Sequence, residues 1–306
     1  MILGAHIGIA GGLPEAVRDL RAIGGDALQI FSKSPQMWAG PPIAAAAADA
    51  FRAAVRDQQV RATAIHHGYL ANLGSPKADT LARSRGAFRD EAARAELLGV
   101  DALIFHPGAH VGSGVDAGLA TVAESLRRAL AESPDGRVRW LLENAAGQGT
   151  TLGSTFEELA TVLGAVNAPD RLGVTLDTCH LFAAGWDFRT DEGYGRLVDK
   201  VRDTIGLDTV RAFHLNDAKS DLGSHLDRHE NIGQGQIGPE GFRRVLNDRT
   251  WASTPGYLET PIDEATGYAR YAADLVTLRS LLAETGDPVP KAAARRRTTR
   301  RASTVK

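Results

Sequence analysis

The segment Arg139–His180, RWLLENAAGQGTTLGSTFEELATVLGAVNAPDRLGVTLDTCH, decides the fold. Arg139–Glu143 is a short apolar run that ends on a carboxylate and is followed by a glycine-rich turn, the pattern of a buried strand. Thr155–Val166 then repeats its apolar residues at the helical period, with Ser154 and Thr155 ahead of Glu157 and Glu158 as a start signal. Gly173–Asp177 is a second apolar run ending on a carboxylate. Strand, helix and strand in this order form a parallel unit, because parallel neighbours need a crossover between them.

The same alternation runs outward in both directions. Strands are expected at Ile2–His6, Ala27–Phe31, Ala62–His66, Ala102–His106, Val210–His214 and Gly256–Glu259, which with the two above makes eight. Helical patterns separate them at Leu13–Ile23, Ala44–Gln59, Lys77–Leu98, Gly118–Glu132, Tyr194–Ile205 and Pro239–Leu246, and Glu264–Glu284 follows the last strand. Eight βα units predict a closed (β/α)8 TIM barrel, which takes about 250 residues. The chain's 306 residues accommodate it as one domain, residues 1–286. The glycine turns near the first strand lack dinucleotide-binding spacing, so an open doubly wound sheet is the weaker reading.

Chemistry in such barrels sits at the C-terminal ends of the strands. There the sequence places His66, His106, Glu143, Asp177, His214 and Glu259, with His180, Asp227 and His229 on the loops that follow. One strand-end histidine is ordinarily a hydrogen-bonded core residue. Nine donors at one mouth are another matter, because unpaired carboxylates and imidazoles are costly to bury without a cation. A single zinc takes four ligands, so this set suits two or three ions with bridging carboxylates. Paired ions of that kind hydrolyse phosphate esters by stabilising both the attacking and the leaving oxygen. The mixture of histidine and carboxylate favours zinc, and manganese or iron also fits one position. Cys179 lies between mouth-facing neighbours and is expected to point away as a buried thiol. His6, His67, His110 and His225 receive no role, although His110 is within reach of a supporting contact to His106 or serves as an ordinary loop residue.

Two loops carry groups that fit either loop packing or a wedge into a DNA stack. One holds Tyr69 and Leu70; the other, Lys33–Trp38, holds Lys33 and Gln36. Residues 287–306 form a basic tail without apolar period, expected to be disordered. Residues 291–306 hold seven basic residues and no acid, so the remainder of a chain of net charge −2 carries −9. Such a tail fits a solvated extension or a non-specific DNA tether. With one cysteine, no basic leader and no run near the ~18 apolar residues of a membrane span, a soluble, cytoplasmic, monomeric protein is expected.

At GAHIGIAGGL, HPGAH, ENAAGQG, LDTCHLFAAG, HLNDAKS, DRHENIG and LETP, in this order, the chain resembles the endonuclease IV family over roughly residues 3–285. The resemblance implies three zinc ions and hydrolysis of the phosphodiester 5′ to an abasic site in duplex DNA, leaving a 3′-hydroxyl and a 5′-deoxyribose phosphate. It assigns His66, His106 and Glu143 to the first ion. Glu143, Asp177, His214 and Glu259 surround the second, and His180, Asp227 and His229 the third. Glu143 bridges two ions and positions the nucleophile, which makes it the catalytic residue. Tyr69 and Leu70 match the gap-filling loop. Gln36 stands where the family often carries arginine, so a neutral insertion is expected there. Two other readings stay open on the residues alone: a sugar or ketose isomerase on the same barrel, and a DNA-binding protein without catalysis.

Overall fold

The computed structural model describes residues 1–263 and 266–282. Eight parallel strands close into a barrel: β1 (Ile2–His6), β2 (Ala27–Ile30), β3 (Ala62–His66), β4 (Ala102–Phe105), β5 (Arg139–Glu143), β6 (Leu172–Asp177), β7 (Val210–His214) and β10 (Pro255–Leu258). Between β7 and β10 lies a small antiparallel pair, β8 (Asp217–Ala218) and β9 (His229–Glu230). The expected TIM barrel is the observed fold. The tail at 287–306, expected as a basic extension, lies outside the described residues. Among the described residues no helix is long and apolar enough to cross a membrane.

The two-residue period of each strand divides its side chains between two cores. One parity faces the surrounding helices, with Leu103, Phe105, Trp140, Leu142, Val174 and Phe213 in the larger cluster. The other fills the barrel interior with small residues, Ala27, Ala62, Ala64, Ala102 and Ala212, around Ile104, Leu141 and Tyr257. Space is tightest between β1 and β2. A Cβ on Gly4 would stand 1.6 Å from the Ala27 carbonyl oxygen, so only glycine fits that inward position. Following the inward parity toward the strand ends leads to His6, Gln29, His66, Glu143, Asp177 and His214.

The helices are α1 (Leu13–Ala22), α2 (Ala45–Asp57), α3 (Ala78–Leu98), α4 (Val115–Ala131), α5 (Phe156–Val166), α6 (Thr178–Ala183), α7 (Asp191–Thr204), α8 (Gly238–Asn247) and α9 (Ala269–Ser280). Their ends follow local chemistry. Thr155 caps α5 by accepting from the Glu158 amide at 3.2 Å, and Glu158 Oε2 accepts in return from the Gly153 and Ser154 amides. Thr190 caps α7 in the same way, which starts that helix three residues ahead of the expected Tyr194. The short helix α6 is an addition to the expected pattern. Asp177 Oδ1 accepts from the His180 amide at 2.9 Å and turns the chain into a helix directly off β6. His180 therefore sits on a helix rather than on a loop.

Candidate metal centre

All nine expected donors converge at the C-terminal mouth of the barrel. Donor atoms within 4.8 Å of one another group His66, His106 and Glu143; Glu143, Asp177, His214 and Glu259; and His180, Asp227 and His229; His66 also groups with His214 and Glu259, and Asp177 with Cys179 and His229. Glu143 is common to the first two. Its Oε2 faces His66 Nε2 at 3.0 Å and His106 Nε2 at 3.6 Å, while its Oε1 faces His214 Nδ1 at 2.7 Å. Asp227 splits likewise, with Oδ2 at 3.2 Å from His180 Nε2 and Oδ1 at 3.1 Å from His229 Nε2. Asp177 Oδ2 links the second and third sets, 3.6 Å from His229 Nε2.

Backbone contacts turn the imidazoles inward. The Nδ1 atoms of His66 and His180 bond the carbonyls of His67 and Asn144, both at 2.8 Å, and His229 Nδ1 bonds the Glu259 carbonyl at 3.2 Å. Each ring thereby presents Nε2 to the centre, the arrangement that fixes a histidine ligand. Two asparagines hold Asp177 in turn. Asn144 Oδ1 accepts from the Asp177 amide at 2.7 Å, and Asn216 Nδ2 donates to Asp177 Oδ2 at 2.7 Å.

The electrostatics are those of a site built around positive charge. Burial pushes the Glu143 carboxyl up, but His106, His214 and His66 outweigh it and hold the group well below its usual range. Burial likewise opposes a charged His214, yet Glu143 and Glu259 raise it to about 9. Burial opposes His229 too, and Asp177 and Asp227 raise it to about 9. His106 goes the other way, lowered by burial. The Nε2 atoms of His180 and His229 are buried, and the Asp227 oxygens 3.2 and 3.1 Å away do not meet them in hydrogen-bond geometry. Glu143 and Asp177, at most 1 % exposed, converge with Glu259 on one point. Buried unsatisfied imidazole nitrogens beside crowded carboxylates match the needs of divalent cations such as zinc.

Two residues of this mouth are absent from the expected donor list, His6 and Gln29. Gln29 is fully buried and bonds His214, Glu259 and His6. Both share the inward parity of their strands, and that parity was the signal available to find them. Cys179 is buried, as expected, with Sγ 3.5 Å from the Arg228 carbonyl, although its sulfur also lies within 4.8 Å of donors from Asp177 and His229. His110 accepts the Gly112 and Gly114 amides and stabilises its own loop. His67 bonds the Gly68 carbonyl and His225 the Ala146 carbonyl.

Lys33 corrects an expectation. Expected on a DNA-facing loop, its ammonium is instead buried and ion-paired with Glu91 and Asp90 on α3. A cation on a loop stem finds acids on the helix packed beneath it and is lost to any partner outside. Gln36 remains exposed. Tyr69 is 65 % and Leu70 39 % exposed, and the Tyr69 ring lies 5.5 Å from Phe31 and 6.4 Å from His66. Met37, Val111, Leu226 and Ile262, on other loops, are also exposed large apolar groups.

A barrel with this mouth defines a class, and residues 17–281 match the xylose isomerase-like TIM barrel family. The chain is 43% identical over 279 residues to a probable endonuclease 4 of Chloroflexus aurantiacus, covering 91% of this chain and 97% of that protein. It is 41% identical to a probable endonuclease 4 of Trichlorobacter lovleyi, covering 91% and 99%. The crystal structure of endonuclease IV from Thermus thermophilus superposes with a TM-score of 0.80 at 34% identity, covering 92% of this chain and all of that one. A D-psicose 3-epimerase from Clostridium cellulolyticum shares the fold at a TM-score of 0.68 and 16% identity, covering 92% and 99%. The chain belongs to the endonuclease IV family within the xylose isomerase-like TIM barrels.

Proposed function

We propose that this protein is a metal-dependent DNA-repair endonuclease that hydrolyses the phosphodiester 5′ to an abasic site in duplex DNA, leaving a 3′-hydroxyl and a 5′-deoxyribose phosphate. The observation that carries the reading is the sharing of Glu143 between two donor sets, with a third set linked through Asp177. In this reading the three sets hold three zinc ions, with manganese acceptable in one position. Bound ions of this kind activate water near neutral pH and stabilise charge on attacking and leaving oxygens.

The chain's own residues hold and orient. Glu143 ties two donor sets together through its two oxygens and fixes where the reacting phosphate must lie. Asp177 and Asp227 turn His229 and His180 toward the same mouth. In this reading Tyr69 and Leu70, exposed on the loop after β3, fill the gap left by the missing base. Gln36 and Met37, exposed on the loop after β2, would add contacts without charge in the same reading. Selection rests on an energy difference: extruding a normal nucleotide costs a few kcal/mol of unstacking and unpairing, and an abasic one lacks that cost. The isomerase reading leaves His180, Asp227 and His229 without use. A duplex carrying one abasic site, incubated with protein, should yield a single cut with a 3′-hydroxyl end; an intact duplex would overturn the proposal.

A further inference from the structure

Gln29 lies two residues beyond the inward-facing Ala27 on β2, directly under the donor set of Glu143, Asp177, His214 and Glu259. Its side chain is fully buried. Its amide nitrogen donates to Glu259 Oε1 at 2.5 Å and to His6 Nδ1 at 2.9 Å, and its amide oxygen lies 2.8 Å from His214 Nε2. The orientation of the amide is set by chemistry. A carboxylate only accepts, so the nitrogen must face Glu259. The oxygen, left to His214, can only accept, so His214 carries a proton on Nε2. That leaves Nδ1 as the nitrogen directed at the centre, 2.7 Å from Glu143 Oε1 and 3.4 Å from Glu259 Oε2. Glu259 is divided in the same manner: Gln29 occupies Oε1, and Oε2 is turned inward.

We propose that Gln29 is a positioning residue of the metal centre, gripping the outward ends of two of the four donors in the second set. It rests on the three-ion reading above. Outer partners of metal ligands typically govern affinity by about 10–100-fold. Gln29 touches His214 and Glu259, which also group with His66, and none of the third set's donors, so its effect should fall on the one ion that His214 and Glu259 hold together.

The test is zinc titration of metal-free protein against a competing chelator, comparing wild type with Gln29→Met, which keeps side-chain volume and removes all three hydrogen bonds. Gln29→Met should bind two ions as wild type does and a third about 10–100-fold more weakly. Equal affinity for all three in both proteins, or uniform weakening of all three as in general loss of structure, would overturn the inference. Nitrogen NMR of the His214 ring in zinc-loaded wild type gives an independent readout that needs no variant. A proton on Nε2 and a metal-bound Nδ1 support the proposal, and the reverse overturns it. Wild type that holds no zinc would overturn the three-ion reading and this inference together, an outcome distinct from a failure of Gln29 alone.

Discussion

Glu143 and His214, 71 residues apart in the chain, meet at 2.7 Å between Oε1 and Nδ1, and the other Glu143 oxygen meets His66 at 3.0 Å. One side chain thus joins two donor sets. Glu143→Gln keeps the size of that side chain but removes its charge and replaces one of the two oxygens that join the donor sets with an amide nitrogen. The variant should fold and still bind abasic DNA, with cleavage reduced more than ~100-fold, beyond the effect of losing an outer partner alone. Single-turnover cleavage at saturating protein measures this, and near-wild-type turnover would remove Glu143 from its joining role.

Tyr69→Ala should weaken binding to abasic duplex by about 1–3 kcal/mol, the scale of one aromatic stacking contact. Zinc content should not change, because Tyr69 supplies no donor. Equilibrium binding with the Glu143→Gln background avoids turnover during the measurement. Unchanged affinity would take Tyr69 out of the DNA surface.

Lys33 is expected to matter for stability instead of binding. Lys33→Met leaves Glu91, 1 % exposed, without its cation, and breaking one side of such a buried pair costs about 3–5 kcal/mol. Lys33→Met with Glu91→Leu should recover most of the loss, as denaturant unfolding would report.

The neighbouring Asp90 gives this cluster a pH dependence. Burial pushes its carboxyl up, but hydrogen bonds from Lys33 and Arg94 outweigh it and hold it below the ordinary value. A depressed acid contributes stability above its unfolded pKa of ~3.9 and loses it as pH falls through the folded value. The difference in Tm between wild type and Asp90→Asn should therefore be constant near neutrality and shrink below pH ~4. A difference that grows on acidification would reverse the sign and contradict the pairing.

The barrel was readable because each strand is a short apolar run and each helix keeps its own period. Residue types at strand ends marked the donors for the same reason. Where reading failed, the missing information was long-range or directional. The partners of Lys33 lie 57 and 58 residues on, at Asp90 and Glu91, which no local pattern reveals. Helix α6 depends on Asp177 acting as a cap while also facing the mouth. Gln29 reads as one polar residue in ALQI, and only the inward parity shared with Ala27 shows where it points.

Residues 287–306 call for a test of their own. Deleting them should flatten the fall of log binding constant with log salt, since each phosphate contact contributes a slope of about −0.9 on duplex DNA. Cleavage at saturating protein should not change. An identical salt slope in the shortened chain would rule out a tether.

The central claim is that three donor sets hold three ions and cut beside a missing base. Metal content per chain, measured on protein purified without added metal, should be read together with cleavage of an abasic duplex by the same sample. About three zinc ions per chain and a single cut on the 5′ side of the abasic site are the predicted result. One ion or none, with the duplex left intact, would contradict it.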